Sequence, residues 1–154
     1  MDFMRYVGKV QNSWWYLHRA YESKAAMVYG SVYEVPADLG TFDLAFFGAI
    51  LLHLRDPFAA LSTVADHVSD TIVVTDAVQD PDLDQKDNLL RFAPQDVRYP
   101  THWWSMTPGA VARMLERLGF SSTELTFHRQ KHHLDHDISK PPVDYEMYTV
   151  VGRR

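Results

Sequence analysis

The spacing of apolar residues predicts an amphipathic helix at the start of the chain. Apolar side chains recur there at steps of three and four residues, as they do along one face of an α-helix. The members of this face are Val7, Val10, Trp14, Leu17 and Tyr21. The chain is therefore expected to begin with a helix that has these residues along one face.

Short apolar runs after this helix predict five strands. The run "FDLAFFGA", which starts at Phe42, is almost uninterrupted, as is typical of a strand buried on both faces of a parallel sheet. The run "DTIVVTDA" has the same character, and "SSTELTFHRQ" and "VDYEMYTVVG" alternate well enough for two further strands. Strands are expected near residues 26–31, 42–48, 71–76, 122–128 and 144–151.

The sequence predicts two further helices from the residues at which they would begin. Asp56 precedes Pro57, and Thr107 precedes Pro108, which in each case is an N-cap residue followed by proline at the first helical position. Strands that alternate with helices predict an α/β fold. We expect a single domain over residues 1–154 whose sheet is mostly parallel, with the last two strands antiparallel.

In α/β folds, ligands bind at the carboxyl ends of the strands of the sheet. The residues to inspect are therefore those at 31–33, 48–53 and 76–78. The polar, proline-containing segment 78–105 is too long for a plain connection. It is expected to be either a functional cover or disordered.

Composition narrows the class of protein. The 154 residues are 46% hydrophobic and carry a net charge of -5, so a nucleic-acid partner, which usually meets a basic face, is disfavoured. No apolar run is long enough to cross a bilayer, and no signal peptide is expected. The chain has no cysteine, which excludes disulfides and zinc-thiolate sites and fits a cytoplasmic protein.

A series of segments resembles a known family. The segments are "YGSVYEVP", "FDLAFFGAILLHLRDPFAAL", "TIVVTDA" and "WWSMTPGAVARMLERLGF", followed by a terminal strand pair. In this order they resemble the C-terminal two-thirds of a class I S-adenosylmethionine-dependent methyltransferase. The "HLRDP" turn is similar to members that act on small molecules or tRNA bases. The resemblance implies a Rossmann-like sheet, S-adenosylmethionine as cofactor and a small-molecule or tRNA-base acceptor.

The resemblance also implies where the cofactor lies. The adenine would be held after the third strand of the family, at Ser31, Val32 and Tyr33, and Ser31 stands where an aspartate is common. The methionine moiety and the transferring methyl would pass the end of the fourth strand. The positions that match there are Gly48, Ala49 and Ile50.

The chain departs from the family pattern upstream of these positions. The family's first two strands and its glycine-rich turn are expected there, and none of the seven glycines has the spacing G-x-G-x-G or G-x-G-x-x-G. The backbone amides of such a turn make contacts that side chains do not easily replace. We therefore expect a partial sheet that encodes only half of the cofactor pocket and binds the cofactor incompletely by itself.

Two polar residues near the strand ends are candidates for chemistry. His53 lies just beyond Gly48 and is the candidate general base if the acceptor is a hydroxyl. A histidine bonded to backbone on a turn is the alternative interpretation. Asp76 ends the following strand and would either orient the acceptor or cap a loop.

Aromatic residues before the last helix are candidates for contact with the acceptor. Tyr99, Trp103 and Trp104 lie there, next to His102. Tryptophans are usually packed, so we expect one of the two to plug the core and the other to cover the site.

The segment "HRQKHHLDHD", from His128 to Asp137, has enough histidines and carboxylates for a metal. It is expected to be a solvated loop between two strands, and its spacing matches no established zinc site. No metal site is therefore predicted.

Three functions of different classes remain open. The first is a methyltransferase, the second a non-catalytic Rossmann-like remnant that binds a partner, and the third a metal-binding or structural protein built on the histidine-rich segment. The absent glycine-rich turn separates the first two. If two strands are missing, the edge near residues 42–49 is open, and we expect a second copy or the chain's own N-terminal segment to cover it.

Overall fold

The computed structural model describes residues 3–92, 102–133 and 138–154. It divides into two compact units, Met1–Gly30 and Ser31–Arg154. Within the described residues, no helix combines the length and the apolar composition that crossing a membrane requires.

The first unit is a helix followed by a returning segment. The helix α1 spans Phe3–Ala20, which confirms the helix expected from the apolar spacing. Glu22 then adopts a positive φ of 48°, and the chain folds back so that the carbonyl of Ala25 lies 2.8 Å from Nε2 of His18. The indole N–H of Trp15 donates to the hydroxyl of Tyr29.

The prediction of a strand near residues 26–31 is wrong. This segment has no strand and lies along its own unit, with Val28 and Tyr29 exposed. A short apolar run becomes a strand only when another strand offers it hydrogen bonds. The described part of the first unit has no such partner.

The second unit is built on a four-stranded sheet in the order β1-β2-β6-β5. These strands span Phe42–Gly48 (β1), Val68–Ala77 (β2), Ser122–His132 (β5) and Val143–Arg153 (β6). β1 and β2 pair in parallel, whereas β2 with β6 and β6 with β5 pair antiparallel. The α/β fold and the antiparallel last pair are confirmed, and the parallel pairing in this sheet is confined to β1 and β2.

Helices α2, Pro57–Ala65, and α3, Pro108–Arg117, follow the caps that the sequence predicts. The carboxylate of Asp56 accepts from the N–H of Ala59, and the hydroxyl of Thr107 accepts from the N–H of Ala110. Short 3₁₀ turns lie at Ala37–Leu39 and Leu51–His53. The apolar side chains of both helices join those of the sheet in one core, which includes Leu61, Leu115, Ile72 and Val150.

The strand β1 forms one edge of the described sheet, as the sequence suggests. Its side chains Phe42, Leu44 and Phe46 are 48%, 55% and 63% exposed, whereas Phe47 on the opposite face is buried. The other edge, β5, carries Arg129 and Lys131, which discourage further strand pairing. The expectation that a second copy or the N-terminal segment covers β1 stays a prediction.

The described part of the long segment 78–105 is ordered by contacts with the start of α3. The N–H of Gly109 donates to the carbonyl of Gln85 at 3.0 Å. The hydroxyl of Thr107 accepts from the N–H of Leu89 and donates to the carbonyl of Asp87. A two-stranded ladder of β3, Leu90–Phe92, with β4, Trp104–Met106, then closes the segment.

Gly109→Ala is expected to destabilise the second unit by about 1–3 kcal/mol, because a close backbone approach leaves no room for a side chain. A Cβ at this position would meet the carbonyl oxygens of Lys86 and Asp87 well inside van der Waals contact. Urea denaturation followed by circular dichroism measures the free energy of unfolding.

Gly8→Ala is the matched control, since an added Cβ there meets nothing within 4 Å and position 8 lies inside α1. Alanine at this position is expected to be neutral or to stabilise the helix by roughly 0.5–1 kcal/mol. Equal effects of the two substitutions would contradict the proposed contact between the segment and α3.

Candidate functional site

A cavity of about 510 Å³ opens at the carboxyl ends of β1 and β2. Its polar lining consists of His53, Asp76, Gln79, His102, Gln130, His132 and Tyr145. Its apolar lining consists of Ala49, Leu52, Ala77 and Met147. Both the volume and the mixture of apolar walls with convergent polar groups are typical of small-molecule sites.

The turn after β1 delivers His53 to this cavity. Ala49 has a positive φ of 49°, an uncommon conformation for a residue with a side chain, and its N–H donates to the carbonyl of Thr75 at 2.8 Å. Leu51 and Leu52 are then buried in the core, which anchors the 3₁₀ turn. The next side chain, His53, is half-buried and faces the cavity.

His53 lies beside a second imidazole. The ring centroids of His53 and His102 are 4.8 Å apart. Burial, and then the nearby charge of His53, lower the pKa of His102. The neutral form of His102 is therefore favoured, which avoids two adjacent positive charges in the cavity.

Asp76 places a buried carboxylate in the cavity wall. Its side chain is 2% exposed, Oδ1 accepts from the N–H of Ala77 at 2.8 Å, and Oδ2 has no hydrogen-bond partner among the described residues. Burial raises the pKa of Asp76 to about 6, although the N–H of Ala77, the charge of His53 and the N–H of Leu52 oppose the shift. A buried oxygen without a partner is costly, which is a reason to look for a ligand there.

Tyr148 lies beside Asp76 on the neighbouring strand. The two residues are partners in the β2–β6 ladder, so their side chains share one face of the sheet. Burial, followed by the charge of Asp76, raises the pKa of Tyr148, which therefore stays a neutral phenol. Tyr148 is 1% exposed and closes the floor behind the carboxylate.

The hairpin of β5 and β6 supplies the opposite wall of the cavity. Gln130 pairs with Tyr145, and the rings of His132 and Tyr145 are 5.9 Å apart. Sequence reasoning missed Gln130 and His132 because it assigned position 128 onward to a loop, whereas β5 continues to His132. It placed Tyr145 in a strand but not at the site. Residues 134–137 lie outside the described part of the chain. Alternation along "FHRQKH" was the available signal, but the partner across the hairpin depends on register.

The structure brings three of the predicted site residues together, namely His53, Asp76 and Ala49, all of which line the cavity. Gly48 and Ile50 flank Ala49 at the exposed end of β1 without lining the cavity. A Cβ on Gly48 would collide with the ring of its neighbour Phe46.

The three predicted adenine contacts lie elsewhere, along α2. Ser31, Val32 and Tyr33 form a turn in which the carbonyl of Val32 accepts from the hydroxyl of Thr63 at 2.7 Å. The hydroxyl of Tyr33 accepts from the N–H of Asp56, and Tyr33 lines a separate cavity of about 500 Å³ against α2. Their role as cofactor contacts stays a prediction.

The two tryptophans differ in their packing. Trp104 packs against the core, and its indole N–H donates to the carbonyl of Arg55 at 3.1 Å. Trp103 is 37% exposed and is held through its backbone N–H, which donates to the carbonyl of Leu52. Neither lines the cavity, and Tyr99 lies outside the described residues.

A metal centre finds no support in residues 3–92, 102–133 and 138–154. Among them, no group of three or more histidine or carboxylate side chains is arranged to hold a metal ion. The imidazole of His133 lies 2.9 Å from the carbonyl of Lys140 instead.

No protein-family model matches the sequence, and no curated protein matches it. Solved structures do match its fold. The N-terminal domain of EvdMO1 with SAH bound matches with a TM-score of 0.58 at 19% identity, over 90% of this chain and 58% of that one. The YcgJ protein from Bacillus subtilis matches with a TM-score of 0.50 at 15% identity, over 81% of this chain and 69% of that one.

A second structure of the EvdMO1 domain, in the presence of SAH and D-fucose, matches equally well, with a TM-score of 0.58 at 19% identity. The match covers 90% of this chain and 59% of that one. The chain thus spans less than two thirds of the EvdMO1 domain. At these identities the likeness is one of fold, and this chain shares that fold in part with the SAH-bound EvdMO1 domain.

Proposed function

We propose that this chain takes part in methyl transfer from S-adenosylmethionine to a small-molecule acceptor. The observation that carries the proposal is the cavity at the carboxyl ends of β1 and β2, in a fold shared with a domain that binds SAH. SAH is what S-adenosylmethionine becomes once its methyl is transferred. The presence of D-fucose with a similar domain supports a small molecule as acceptor.

The residues at the end of β1 fit the methyl-donating part of the cofactor. The backbone of Gly48, Ala49 and Ile50 is exposed beside the cavity, where a ligand can approach it closely. The cofactor, when bound, supplies an activated methyl group on a sulfonium. The sequence offers no glycine-rich turn for the methionine end, so this chain provides only one side of the cofactor's surroundings.

His53 is proposed to accept the proton of the attacking acceptor. Its imidazole faces the cavity, and the carboxylate of Asp76 is close enough to interact with its charge. A positive imidazolium that forms during the reaction would be stabilised by this buried carboxylate. The protein's other task is alignment, which the walls of the cavity perform.

A non-catalytic Rossmann-like module that binds a partner is the second candidate. The absence of a glycine-rich turn from the sequence favours it. It predicts that the chain retains the fold but has no affinity for S-adenosylmethionine.

Isothermal titration of the purified chain with S-adenosylmethionine separates the two candidates. Methyl transfer predicts saturable binding with a Kd on the order of micromolar, or about -8 kcal/mol. S-adenosylhomocysteine is expected to compete for the same site. Absence of heat at high protein concentration would favour the binding module.

His53→Ala is expected to slow methyl transfer about 100-fold and to leave the Kd for S-adenosylmethionine unchanged, because the substitution removes the base and not a cofactor contact. The measurement is release of S-adenosylhomocysteine with neutral methyl glycosides as acceptors. His128→Ala is the control, since His128 is exposed and does not line the cavity. Equal losses of rate and affinity would leave His53 a structural residue.

Asp76→Asn is expected to alter how the free energy of unfolding depends on pH. The pKa of Asp76 is about 6 in the folded state against an ordinary value of 3.8, so the folded state keeps its proton to higher pH. The contribution of Asp76 to the free energy of unfolding therefore falls as pH rises from about 4 to about 6, by about 3 kcal/mol, and then levels.

Asparagine carries no charge at any of these pH values, so the variant lacks this fall and gains on the wild type as pH rises. His53, His102 and Tyr148 remain in both proteins, so the difference between the two profiles reports the charge of Asp76 together with its coupling to His53 and Tyr148. Asp70→Asn, at the exposed opposite end of β2, is the control. Parallel profiles for wild type and Asp76→Asn in urea denaturation would contradict the raised pKa.

A further inference from the structure

We propose that the acceptor site selects neutral, hydroxyl-rich molecules over anions, and that Asp76 sets this selectivity. The inference rests on the proposed function and names the acceptor class for the same cavity. It depends on the charges that line the cavity and on the hydrogen bonds that these side chains can form.

The lining contains one carboxylate, three histidines and no lysine or arginine among the described residues. At neutral pH and above, Asp76 carries its negative charge inside the wall, where solvent screens it least. An acceptor that brings a carboxylate or phosphate would place a like charge beside it without a guanidinium or ammonium to compensate. Anions are therefore disfavoured by the site itself.

Three cations of the neighbouring segments have carboxylates beside them. Arg91 forms an ion pair with Asp80. Arg129 and Lys131 lie opposite Glu146 and Asp144 in the β5–β6 ladder, where side chains of opposite charge attract each other. None of the three lines the cavity.

The polar lining suits hydroxyl groups instead. The imidazole of His132, the amides of Gln79 and Gln130 and the phenol of Tyr145 can each both donate and accept a hydrogen bond. Hydroxyls have the same dual capacity, so several of them can be satisfied together. Asp76 lines the same cavity, and its carboxylate can only accept hydrogen bonds, so it favours a hydroxyl proton over an anion.

The apolar lining completes the match with a carbon skeleton. Leu52, Ala77 and Met147 offer apolar contact to the C–H faces of a small ring. An ammonium would also pair with Asp76, but a protonated amine has no lone pair with which to attack a methyl group. The neutral polyol is thus the class that both binds and reacts.

The test measures acceptor binding without the cofactor. Backbone amide spectra of the labelled chain are recorded at about pH 8, where Asp76 is ionised, during titration with neutral methyl hexosides and inositols. The same titrations use the uronic acid or phosphate of each skeleton. The neutral members are expected to shift cavity amides, such as those of Ala77 and Gln130, and to bind at least about tenfold more tightly than their anionic partners.

Asp76→Asn is expected to reduce this preference to within roughly threefold, because it removes the charge and retains the acceptor oxygen toward Ala77. Asp70→Asn should keep the wild-type preference. Anions that bind the wild type as tightly as neutral polyols, or neutral polyols that leave the cavity amides unmoved, would overturn the inference. Because no cofactor is present, absence of S-adenosylmethionine binding would contradict the proposed function separately.

Discussion

The central strand β2 is the element on which the second unit depends, because it is hydrogen-bonded on both sides. It runs parallel to β1 and antiparallel to β6, and β6 in turn carries β5. This pairing brings the turn after β1 and the outer half of the β5–β6 hairpin to the same end of the sheet. The cavity exists because of that pairing, since its two walls are far apart in sequence.

Burial of a carboxylate at the end of β2 is the costly part of this arrangement. Asp76 is partnered on one oxygen and enclosed by Tyr148 and the turn of His53. A hydrophobic residue at this position would make the sheet easier to fold, because an unsatisfied buried oxygen lowers stability. The carboxylate is therefore better explained by what it does in the cavity than by what it adds to the core.

Elements that depend on neighbouring residues in the chain could be predicted from the sequence. Elements that depend on which other strand lies beside them could not. The caps at Asp56 and Thr107 depend on residues within three positions, and both are where the sequence suggests. The segment 26–31 depends on whether a second strand lies beside it, which its own residues do not specify. For that reason its apolar run was assigned to a strand that the structure does not contain.

The residues of the candidate site also differ in whether the sequence alone could predict them. His53 and Asp76 could be anticipated, because ligands gather at the carboxyl ends of parallel strands. Gln130, His132 and Tyr145 could not, because a shift of one residue in the hairpin would turn all three to the other face. The contact of Gly109 with the carbonyls of residues 86 and 87 could not be predicted from the sequence either. A glycine near the start of a helix has no sequence signature for a close backbone approach.

The hairpin of β5 and β6 reaches beyond the rest of the sheet, and this has a consequence for motion. The β2–β6 ladder ends at Ala77 and Met147, and the N–H of Val78 still donates to the carbonyl of Glu146. Beyond that bond, Gln130–His132 and Val143–Tyr145 pair with each other alone among the described strands. A two-stranded ribbon without further strands is marginal in water. The amide protons of this outer ribbon should therefore exchange with solvent long before those of Val74 or Val150. One wall of the cavity can then adapt to molecules of different size while the turn of His53 stays fixed by the core.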